Sequence, residues 1–224
     1  MILLIGQVAR KDLDREAFQE IDYRRMFSQV SKWTAQIDDA SRIPEYLNRA
    51  FATATSGRPG PVVLALPEDM LTDLTDARDA RPWATVQAHP AAADIQKLTD
   101  LLGASLRPLI IVGGGGWSEH TRLQLQQFAE TNQIPVGNSF RCQDYISHDH
   151  SSYIGDVGIG INPALKQTID DADTVIVIGA RLGEMTTDGF SLFDIPDPRQ
   201  TLVHVQAGAE ALGHVYQPDL AINA

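Results

Sequence analysis

The sequence predicts an α/β protein built on parallel sheets. Short apolar runs alternate with segments of helical periodicity along most of the chain, the order in which βαβ units build parallel sheets with right-handed crossovers. The run at 173–179 is β-branched and closed by glycine, and the run at 61–67 lies between two prolines, as expected for strands buried in a sheet. These observations predict a three-layer, Rossmann-like domain with a parallel sheet, preceded by a partial α/β domain.

The first elements are expected to form one α/β unit. Leu3–Gly6 is a short apolar run ending in glycine, and we expect a buried strand there. Apolar residues recur on one helical face over Ile43–Ala54, with Asp39 or Ser41 placed to cap the helix start. The strand at 61–67 follows. Because a natural domain rarely starts on a buried strand, we expect the chain to begin inside a larger fold.

Residues 73–90 change character. They are polar and aperiodic at first, and Pro82 and Pro90 bracket the remainder. Such a composition is typical of a linker between domains. We therefore expect three parts, at residues 1–72, 73–90 and 91–224.

The third part carries a second series of helices and strands. Ser118 can cap a helix that has Leu125, Phe128 and Ala129 on one face. The expected helices lie at Ile95–Leu102, from Ser118 onward and at Asn162–Asp170. The expected strands lie at Pro108–Val112, Ile134–Val136, Asp173–Gly179 and Thr201–Val205.

Composition limits the function classes. The chain has 224 residues, a formal net charge of −11 and a single cysteine, Cys142. One cysteine cannot form an internal disulfide, which excludes disulfide-stapled secreted scaffolds, and the acidic balance argues against nucleic-acid and anionic-membrane surfaces. No apolar run approaches the roughly 18 residues of a membrane helix, and the segment after Met1 does not resemble a signal peptide. We expect a soluble, cytoplasmic protein without nucleic-acid or membrane partners.

Four consecutive glycines, Gly113–Gly116, follow one expected strand and precede an expected helix. Their N–H groups could receive a phosphate. The spacing departs from the dinucleotide-binding fingerprint, because Ser118 or Glu119 occupies the third glycine position. The next strand is followed by Gly137 and Asn138 in place of an acidic residue. Two interpretations stay open: a plain turn with close packing of strand and helix, or a contact with a phosphate or nucleotide.

Three further motifs supply no complete catalytic or metal-binding set. Gly155–Gly160 has Val157 where a Gly-Asp-Gly metal–diphosphate site needs glycine, and we interpret it as a flexible loop over a groove. His148–His150 alternates possible ligands without a third partner at zinc spacing, which favours a solvated loop. Cys142 has no base nearby in sequence and is interpreted as an inert thiol. The residues alone predict no catalytic residue and no metal site.

Several segments together resemble the thiamine-diphosphate enzymes of the acetolactate synthase type. The most specific is the run Ser-Gly-Arg-Pro-Gly-Pro-Val at 56–62, within a longer match at 54–69. The resemblance covers essentially the whole chain. The other matching segments are Ile5–Arg10, Ala17–Glu20, Ser31–Trp33, Pro108–Gly115 and Ile178–Thr187.

The resemblance implies a longer enzyme with three α/β domains. Residues 1–72 look like the C-terminal part of its pyrimidine-binding domain, and residues 91–224 look like its central domain. The glutamate that activates the cofactor would precede Met1, and the metal–diphosphate motif would follow Ala224, so we expect the truncated chain alone to be inactive. The complete enzyme would be a transferase or lyase that uses thiamine diphosphate and Mg²⁺ on a small 2-keto acid, as a homodimer or homotetramer.

The resemblance also implies roles for particular residues. Three match positions beside the substrate entrance: Phe18, Gln19 and Lys32. Four match cofactor-binding positions that contact the flavin in members carrying FAD: Arg58, Gly114, Gly115 and Arg181.

Three departures from the family pattern concern flavin binding and substrate specificity. Ala9 stands where members often have proline, the chain continues after Val205 as Gln-Ala-Gly-Ala where members commonly carry acidic residues, and the loop at 181–185 reads Arg-Leu-Gly-Glu-Met. FAD is one possible cofactor, and benzoylformate decarboxylase-like and glyoxylate carboligase-like specificities stay open. Outside this family, the alternatives are a self-standing nucleotide-binding or regulatory α/β domain without catalysis and an oligomerisation module.

Overall fold

The computed structural model describes all 224 residues, which form two compact units, Met1–Gln87 and Ala88–Ala224. The boundary falls inside the segment that the sequence predicts to be a linker, and residues 73–91 contain neither helix nor strand. The correspondence of these units to the domains of a longer protein stays a prediction.

The first unit contains three strands and two α-helices: β1 (Ile2–Gln7), α1 (Tyr23–Phe27), β2 (Trp33–Gln36), α2 (Ile43–Thr55) and β3 (Val62–Pro67). The strands form a parallel sheet in the order β1-β3-β2. The central strand β3 is buried on both faces, as its sequence predicts. Strand β1 forms where expected but is not buried: Leu4 is 54% exposed, because β1 is an edge strand that pairs with β3 alone.

Helix α2 confirms the helix predicted from the periodicity of residues 43–54. Its Ala50 and Ala54 are buried in one cluster with side chains of β3. The Asp39 carboxylate accepts a hydrogen bond from the Ser41 N–H at 2.9 Å. Asp39 therefore caps a short 3-10 turn that leads directly into α2.

The second unit contains six strands and three α-helices: α3 (Ala92–Ala104), β4 (Pro108–Val112), α4 (Glu119–Asn132), β5 (Val136–Ser139), β6 (Tyr153–Val157), α5 (Pro163–Asp171), β7 (Thr174–Ile178), β8 (Thr201–Gln206) and β9 (Leu220–Asn223). All strand pairs are parallel, in the order β6-β5-β4-β7-β8-β9. Numbered within the unit, this is the order 3-2-1-4-5-6 of the doubly wound Rossmann fold. The predicted fold class is confirmed.

Apolar side chains form a separate core on each face of this sheet. Ile111 of β4 belongs to the same buried cluster as Leu165 and Ile169 of α5. The adjacent Ile110 belongs to the cluster that contains Leu125 of α4. Because successive residues of a strand point to opposite faces, the sheet separates two layers of helices. None of the helices combines the length and apolar character needed to cross a lipid bilayer.

The structure shifts one predicted strand and adds three others. The strand expected at 134–136 runs instead over β5, since pairing with β4 begins at Val136 and Pro135 has no N–H to donate. Strand β2 is only four residues long. Strand β9 alternates buried and exposed residues at the edge of the sheet. Such short segments carry too little periodicity to stand out in a sequence.

Two further predictions are wrong in detail. Gly155–Val157 belong to β6, so only the part of the expected loop from Gly158 onward lies outside a strand. Glycine is depleted in strands, and this hides β6 in the sequence. Phe128 is 43% exposed, so Leu125 and Ala129 alone form the buried face of α4.

Asp173 ties the start of β7 to the loop before β4. Its carboxylate accepts hydrogen bonds from the Ser105 hydroxyl and from the N–H groups of Leu106 and Arg107, the latter two at 2.8 and 3.1 Å. Desolvation by itself would raise the pKa of this carboxyl, but the hydrogen bonds together outweigh it and lower the pKa. The stabilisation is therefore present above the ordinary aspartate pKa and is lost as the pH falls through the lowered value.

We expect Asp173→Ala to lower the free energy of unfolding by about 1–3 kcal/mol at neutral pH, because three donors lose their acceptor. The difference from the unmutated chain should shrink as the pH falls below about 4. Urea unfolding over a pH series measures it, and Asp171→Ala at the exposed end of α5 is the matched control, expected to change stability by no more than about 0.5 kcal/mol. An Asp173→Ala effect that does not vary with pH would contradict the role of the ionised carboxylate.

Candidate functional site

The carboxyl ends of β4 and β7 form a crevice in the second unit. These strands are neighbours, but the chain continues from β4 to β5 on one side and from β7 to β8 on the other. Ligands of doubly wound sheets bind at such a switch point. The rim consists of the loop Gly113–Gly116 after β4 and the loop Gly179–Arg181 after β7.

Close contact between these loops requires three glycines. Gly114 has φ +77°, and a Cβ there would lie 2.1 Å from the carbonyl oxygen of Gly179. Gly179 has φ +73°, and its Cβ would lie 2.4 Å from the carbonyl oxygen of Gly113. A Cβ on Gly113 would lie 2.9 Å from the Ala180 Cβ of the second loop and 1.9 Å from Ser139 Oγ at the end of β5. Packing accounts for these three glycines, whereas Gly115 has open space around it.

The first loop is held by aromatic side chains and leaves its amides free. Trp117 Nε1 donates to the Gly113 carbonyl at 2.9 Å, and the Tyr145 hydroxyl donates to the Gly114 carbonyl. The N–H groups of Gly114–Gly116 donate to no backbone carbonyl, and helix α4 begins shortly afterwards. Free amides beside a helix N-terminus attract phosphate and other anions.

Two buried side chains of β8 hold the second loop. Gln206 Nε2 donates to the carbonyls of Gly179 and Ala180 at 2.9 and 2.6 Å. His204 Nε2 lies 2.9 Å from the Ala180 carbonyl, which can only accept, so this nitrogen carries the proton. Burial lowers the pKa of His204 more than this hydrogen bond raises it, and the ring is neutral at physiological pH. The start of the loop that carries Arg181 is thereby fixed to the sheet.

Arg181 is exposed on this second loop. Its guanidinium takes part in none of the ion pairs of the protein. The side chain lines a cavity of about 310 Å³, together with His204 and the segment 211–216. Neither Gly114 nor Gly115 lines that cavity. The structure therefore places the two glycines on the crevice rim and Arg181 between the crevice and a neighbouring cavity.

The other residues assigned by resemblance lie in the first unit. Phe18 is 89% exposed, and Gln19 has a left-handed conformation with φ +67°. The turn that presents them is closed by Glu20, whose carboxylate accepts from the N–H groups of Asp14 and Ala17 at 2.6 and 3.0 Å. These hydrogen bonds lower the pKa of Glu20. The structure thus holds Phe18 and Gln19 on a fixed turn at the surface of this unit.

The Lys32 side chain is hydrogen-bonded to the backbone of Arg58. The Lys32 ammonium donates to the carbonyls of Ser56 and Arg58 at 2.5 and 3.1 Å. A Cβ on Gly60 would lie 2.9 Å from the Lys32 side chain, so the loop between α2 and β3 closes tightly around it. Lys32 therefore has a structural task in this loop, and the functional roles of Lys32 and Arg58 stay predictions.

The remaining candidate ligands do not converge. No group of three or more His, Cys, Asp or Glu side chains is arranged to hold a metal ion. The His148 ring stacks on Tyr153 with centroids 4.5 Å apart, and His150 Nε2 lies 4.0 Å from a carboxylate oxygen of Glu130. Cys142 is buried and free. The two histidines of this segment therefore face different partners.

Several residues that shape the crevice are not marked as such in the sequence. His204 lies in the strand expected at Thr201–Val205, and Gln206 follows it directly. The predicted strand therefore places both residues near the crevice loops. Their contacts with the Ala180 carbonyl depend on tertiary structure. Tyr145 lies in an irregular segment after β5, and no sequence pattern predicts its contact with Gly114.

Residues 95–224 match the family described as thiamine pyrophosphate enzyme, central domain. This match covers more than half of the chain. The chain belongs to the thiamine pyrophosphate enzyme family, which confirms the resemblance inferred from its sequence segments.

Particular relatives align along almost the whole chain. The probable acetolactate synthase large subunit of Methanocaldococcus jannaschii is 31% identical, with 99% of this chain and 38% of that protein aligned. The acetolactate synthase isozyme 1 large subunit of Escherichia coli is 27% identical, with 100% of this chain and 39% of that protein aligned. The glyoxylate carboligase of Escherichia coli O157:H7 is 29% identical, with 99% and 37% aligned. The chain spans less than two fifths of the length of these curated relatives.

Proposed function

We propose that the chain is part of a thiamine-diphosphate-dependent 2-keto acid decarboxylase or carboligase of the acetolactate synthase type. The observation that carries this proposal is the family match over the second unit. In addition, both units align with acetolactate synthase large subunits. Residues 1–72 would be the C-terminal part of the pyrimidine-binding domain, 73–90 the linker and 91–224 the central domain. Relatives of similar identity support acetolactate-type and glyoxylate-type specificity alike.

Thiamine diphosphate and Mg²⁺ would be held by parts of the enzyme other than these residues. A cation-bound diphosphate needs oxygen ligands that converge on the metal, and no such cluster forms in this chain. The Gly155-Asp156 pair lies in strand β6, and the Asp156 carboxylate accepts from the Tyr153 hydroxyl at 3.3 Å. The residues present do not fit a metal–diphosphate site, so their proposed task is to position substrate and complete the fold.

Phe18 and Gln19 are proposed to lie beside the substrate entrance of the complete enzyme. The exposure of the Phe18 ring and the rigid turn beneath it support this role. Lys32 would act there through the loop that it closes. The complete protein is further proposed to be a cytoplasmic, magnesium-dependent transferase or lyase that works as a homodimer or homotetramer, in line with its family.

Expression of the full reading frame that contains these residues tests the proposed activity. With thiamine diphosphate and Mg²⁺, we expect release of CO₂ from pyruvate or glyoxylate, and the same protein without cofactor is the control. A folded protein that binds the cofactor but turns over no 2-keto acid would contradict the proposed reaction. A protein that does not bind the cofactor at all would contradict the whole proposal.

A second candidate function, nucleotide binding, is supported by one feature of the crevice. The free amides of Gly114–Gly116 and the guanidinium of Arg181 lie at the carboxyl ends of adjacent strands. Both attract phosphate oxygens. FAD, NAD and ADP are the ligands proposed for this crevice, and Arg58 would join a flavin contact only in the complete enzyme.

We expect FAD, NAD or ADP, at about 100 times its Kd, to raise the melting temperature of the chain by about 5–10 °C, because such a ligand binds the native state alone. Arg181→Gln should reduce this shift, whereas Arg107→Gln, at the opposite end of β4, should preserve it. Thermal unfolding with and without each nucleotide measures the effect. If none of the three ligands moves the transition, nucleotide binding by this unit is wrong.

A further inference from the structure

One edge of the first sheet is an apolar strand without a neighbour. β1 pairs with β3 alone, in a register without a bulge, and its six residues include no charged residue and no proline. Leu4 is 54% exposed, whereas its register partner Leu64 on β3 is fully buried. Charge, proline, a bulge or a covering element protects most natural edge strands, and an unprotected apolar edge is a template for pairing with another chain.

The other three sheet edges of the protein carry such protection. β2 is only four residues long, and the Arg49 guanidinium covers the Trp33 ring, 4.3 Å from its centroid. The register of β6 against β5 skips Ile154, and Asp156 is an exposed charge on the same strand. β9 is four residues long, and helix α3 packs beside it. β1 is the one edge that stays open.

The hydrogen bonds of β1 show which peptide groups face the open edge. The carbonyls of Met1 and Gln7 each accept a hydrogen bond from β3 at 3.0 Å, so the odd-numbered residues face β3. Because peptide groups alternate in direction along a strand, those of Ile2, Leu4 and Gly6 face outward. They have no backbone partner in the protein.

This open edge is complementary to itself. In an antiparallel pair, two residues whose peptide groups face each other exchange both N–H···O=C hydrogen bonds. A two-fold axis beside Leu4 sets this residue opposite its own counterpart in a second copy, and Ile2 opposite Gly6. Every outward peptide group then gains a partner. Neither strand brings a charged side chain that would oppose a like charge.

Helix α2 leaves room for this pairing. Its Ala50 and Ala54 belong to one cluster with Ile2 and Leu64, so α2 covers the face of the sheet to which Leu4 points. In the joined sheet the two β3 strands are three strand spacings apart, about 14 Å, and packed helices need only about 8–10 Å. The two Leu4 side chains, directly opposite each other, then lie side by side on this face.

We propose that two copies of this chain associate through antiparallel pairing of their β1 strands, centred on Leu4. The contact is symmetric, with the same surface used by both copies. Identical apolar segments that lack charge and proline pair with one another in this way. The interface is small, so the dimer is expected to be reversible, with a Kd of about 10–100 μM. The proposal does not depend on the proposed enzymatic activity.

Sedimentation equilibrium of the 224-residue chain measures this association. We expect monomers at about 1 μM and mostly dimers at about 500 μM. Leu4→Lys should weaken association at least about tenfold, because it places two like charges directly opposite each other. Leu74→Lys is the matched control, since Leu74 is fully exposed and lies outside any strand of the same unit. This variant should associate as the unmutated chain does.

Mixing two charge variants tests the register of the pairing. Leu4→Lys and Leu4→Glu should each be mostly monomeric alone and should form a mixed dimer when combined, because the two-fold axis brings their opposite charges together. Circular dichroism checks that each variant is folded. In the unmutated chain, which needs no substitution, hydrogen exchange at the Leu4 amide should slow between about 1 and 500 μM.

Three results would each overturn the proposal. The first is a chain that stays monomeric at about 500 μM without slowed exchange at Leu4, which would leave the open edge to a strand of different sequence. The second is a Leu4→Lys variant that is folded and associates like the unmutated chain. The third is a mixture of folded Leu4→Lys and Leu4→Glu variants that forms no dimer.

Discussion

Gly114→Ala is expected to destabilise the second unit severely. The backbone of Gly114 has φ +77°, which an alanine adopts at a cost of about 1–2 kcal/mol. The new methyl group would also lie 2.1 Å from the carbonyl oxygen of Gly179. That oxygen belongs to the backbone of a loop bonded to β8, so it cannot move away as a side chain would. We expect the free energy of unfolding to fall by about 3–5 kcal/mol.

Gly115→Ala is the matched control for this prediction. The position is the next in the same loop, but a Cβ there would meet nothing within 4 Å. Its stability should stay within about 0.5 kcal/mol of the unmutated chain. Urea unfolding followed by circular dichroism compares the two variants. Equal stabilities for Gly114→Ala and Gly115→Ala would contradict the tight contact between the crevice loops.

Ile111→Ala is expected to have the second large effect. Ile111 is fully buried in β4, near the middle of the six-stranded sheet, and its side chain belongs to the core shared with α5. Truncation leaves a cavity that a close-packed sheet core cannot fill, with a loss of about 2–5 kcal/mol. Because β4 carries the glycine loop, the crevice should open along with the core.

Leu123→Ala on α4 is the control for the core substitution. Leu123 is 57% exposed, so its truncation should change the free energy of unfolding by no more than about 0.5 kcal/mol. Denaturant unfolding of both variants measures the difference. If the two substitutions cost the same, Ile111 does not lie in a packed core.

The strands of the sheet centre could be predicted from the sequence because burial on both faces demands continuous apolar runs. β4, β7 and β8 form within one residue of their predicted bounds. β6 and β9 could not be predicted: β6 contains a glycine, and β9 is a four-residue edge strand with only one buried face. Edge strands depend on a neighbour already in place, and that neighbour is set by tertiary structure.

Of the candidate site, only the positions of the loops that follow the strands could be predicted from the sequence. Gly114 and Arg181 each follow a predicted strand, and parallel strands bring their carboxyl ends to one edge of a sheet. The contacts that shape the region come from side chains distant in sequence, such as Tyr145 on the Gly114 carbonyl. Tyr216 lies in an irregular segment after β8, and only packing shows that its hydroxyl is buried without a partner.

Titration of the folded 224-residue chain with thiamine diphosphate and Mg²⁺ tests most directly whether the cofactor site lies outside these residues. We expect no saturable heat up to about 1 mM cofactor, because no cluster of ligands for the metal–diphosphate group forms in either unit. The protein from the full reading frame, freed of cofactor before the titration, is the positive control. Saturable binding to the chain alone with a Kd below about 1 mM would contradict the assignment of these residues to a part of the enzyme without the cofactor site.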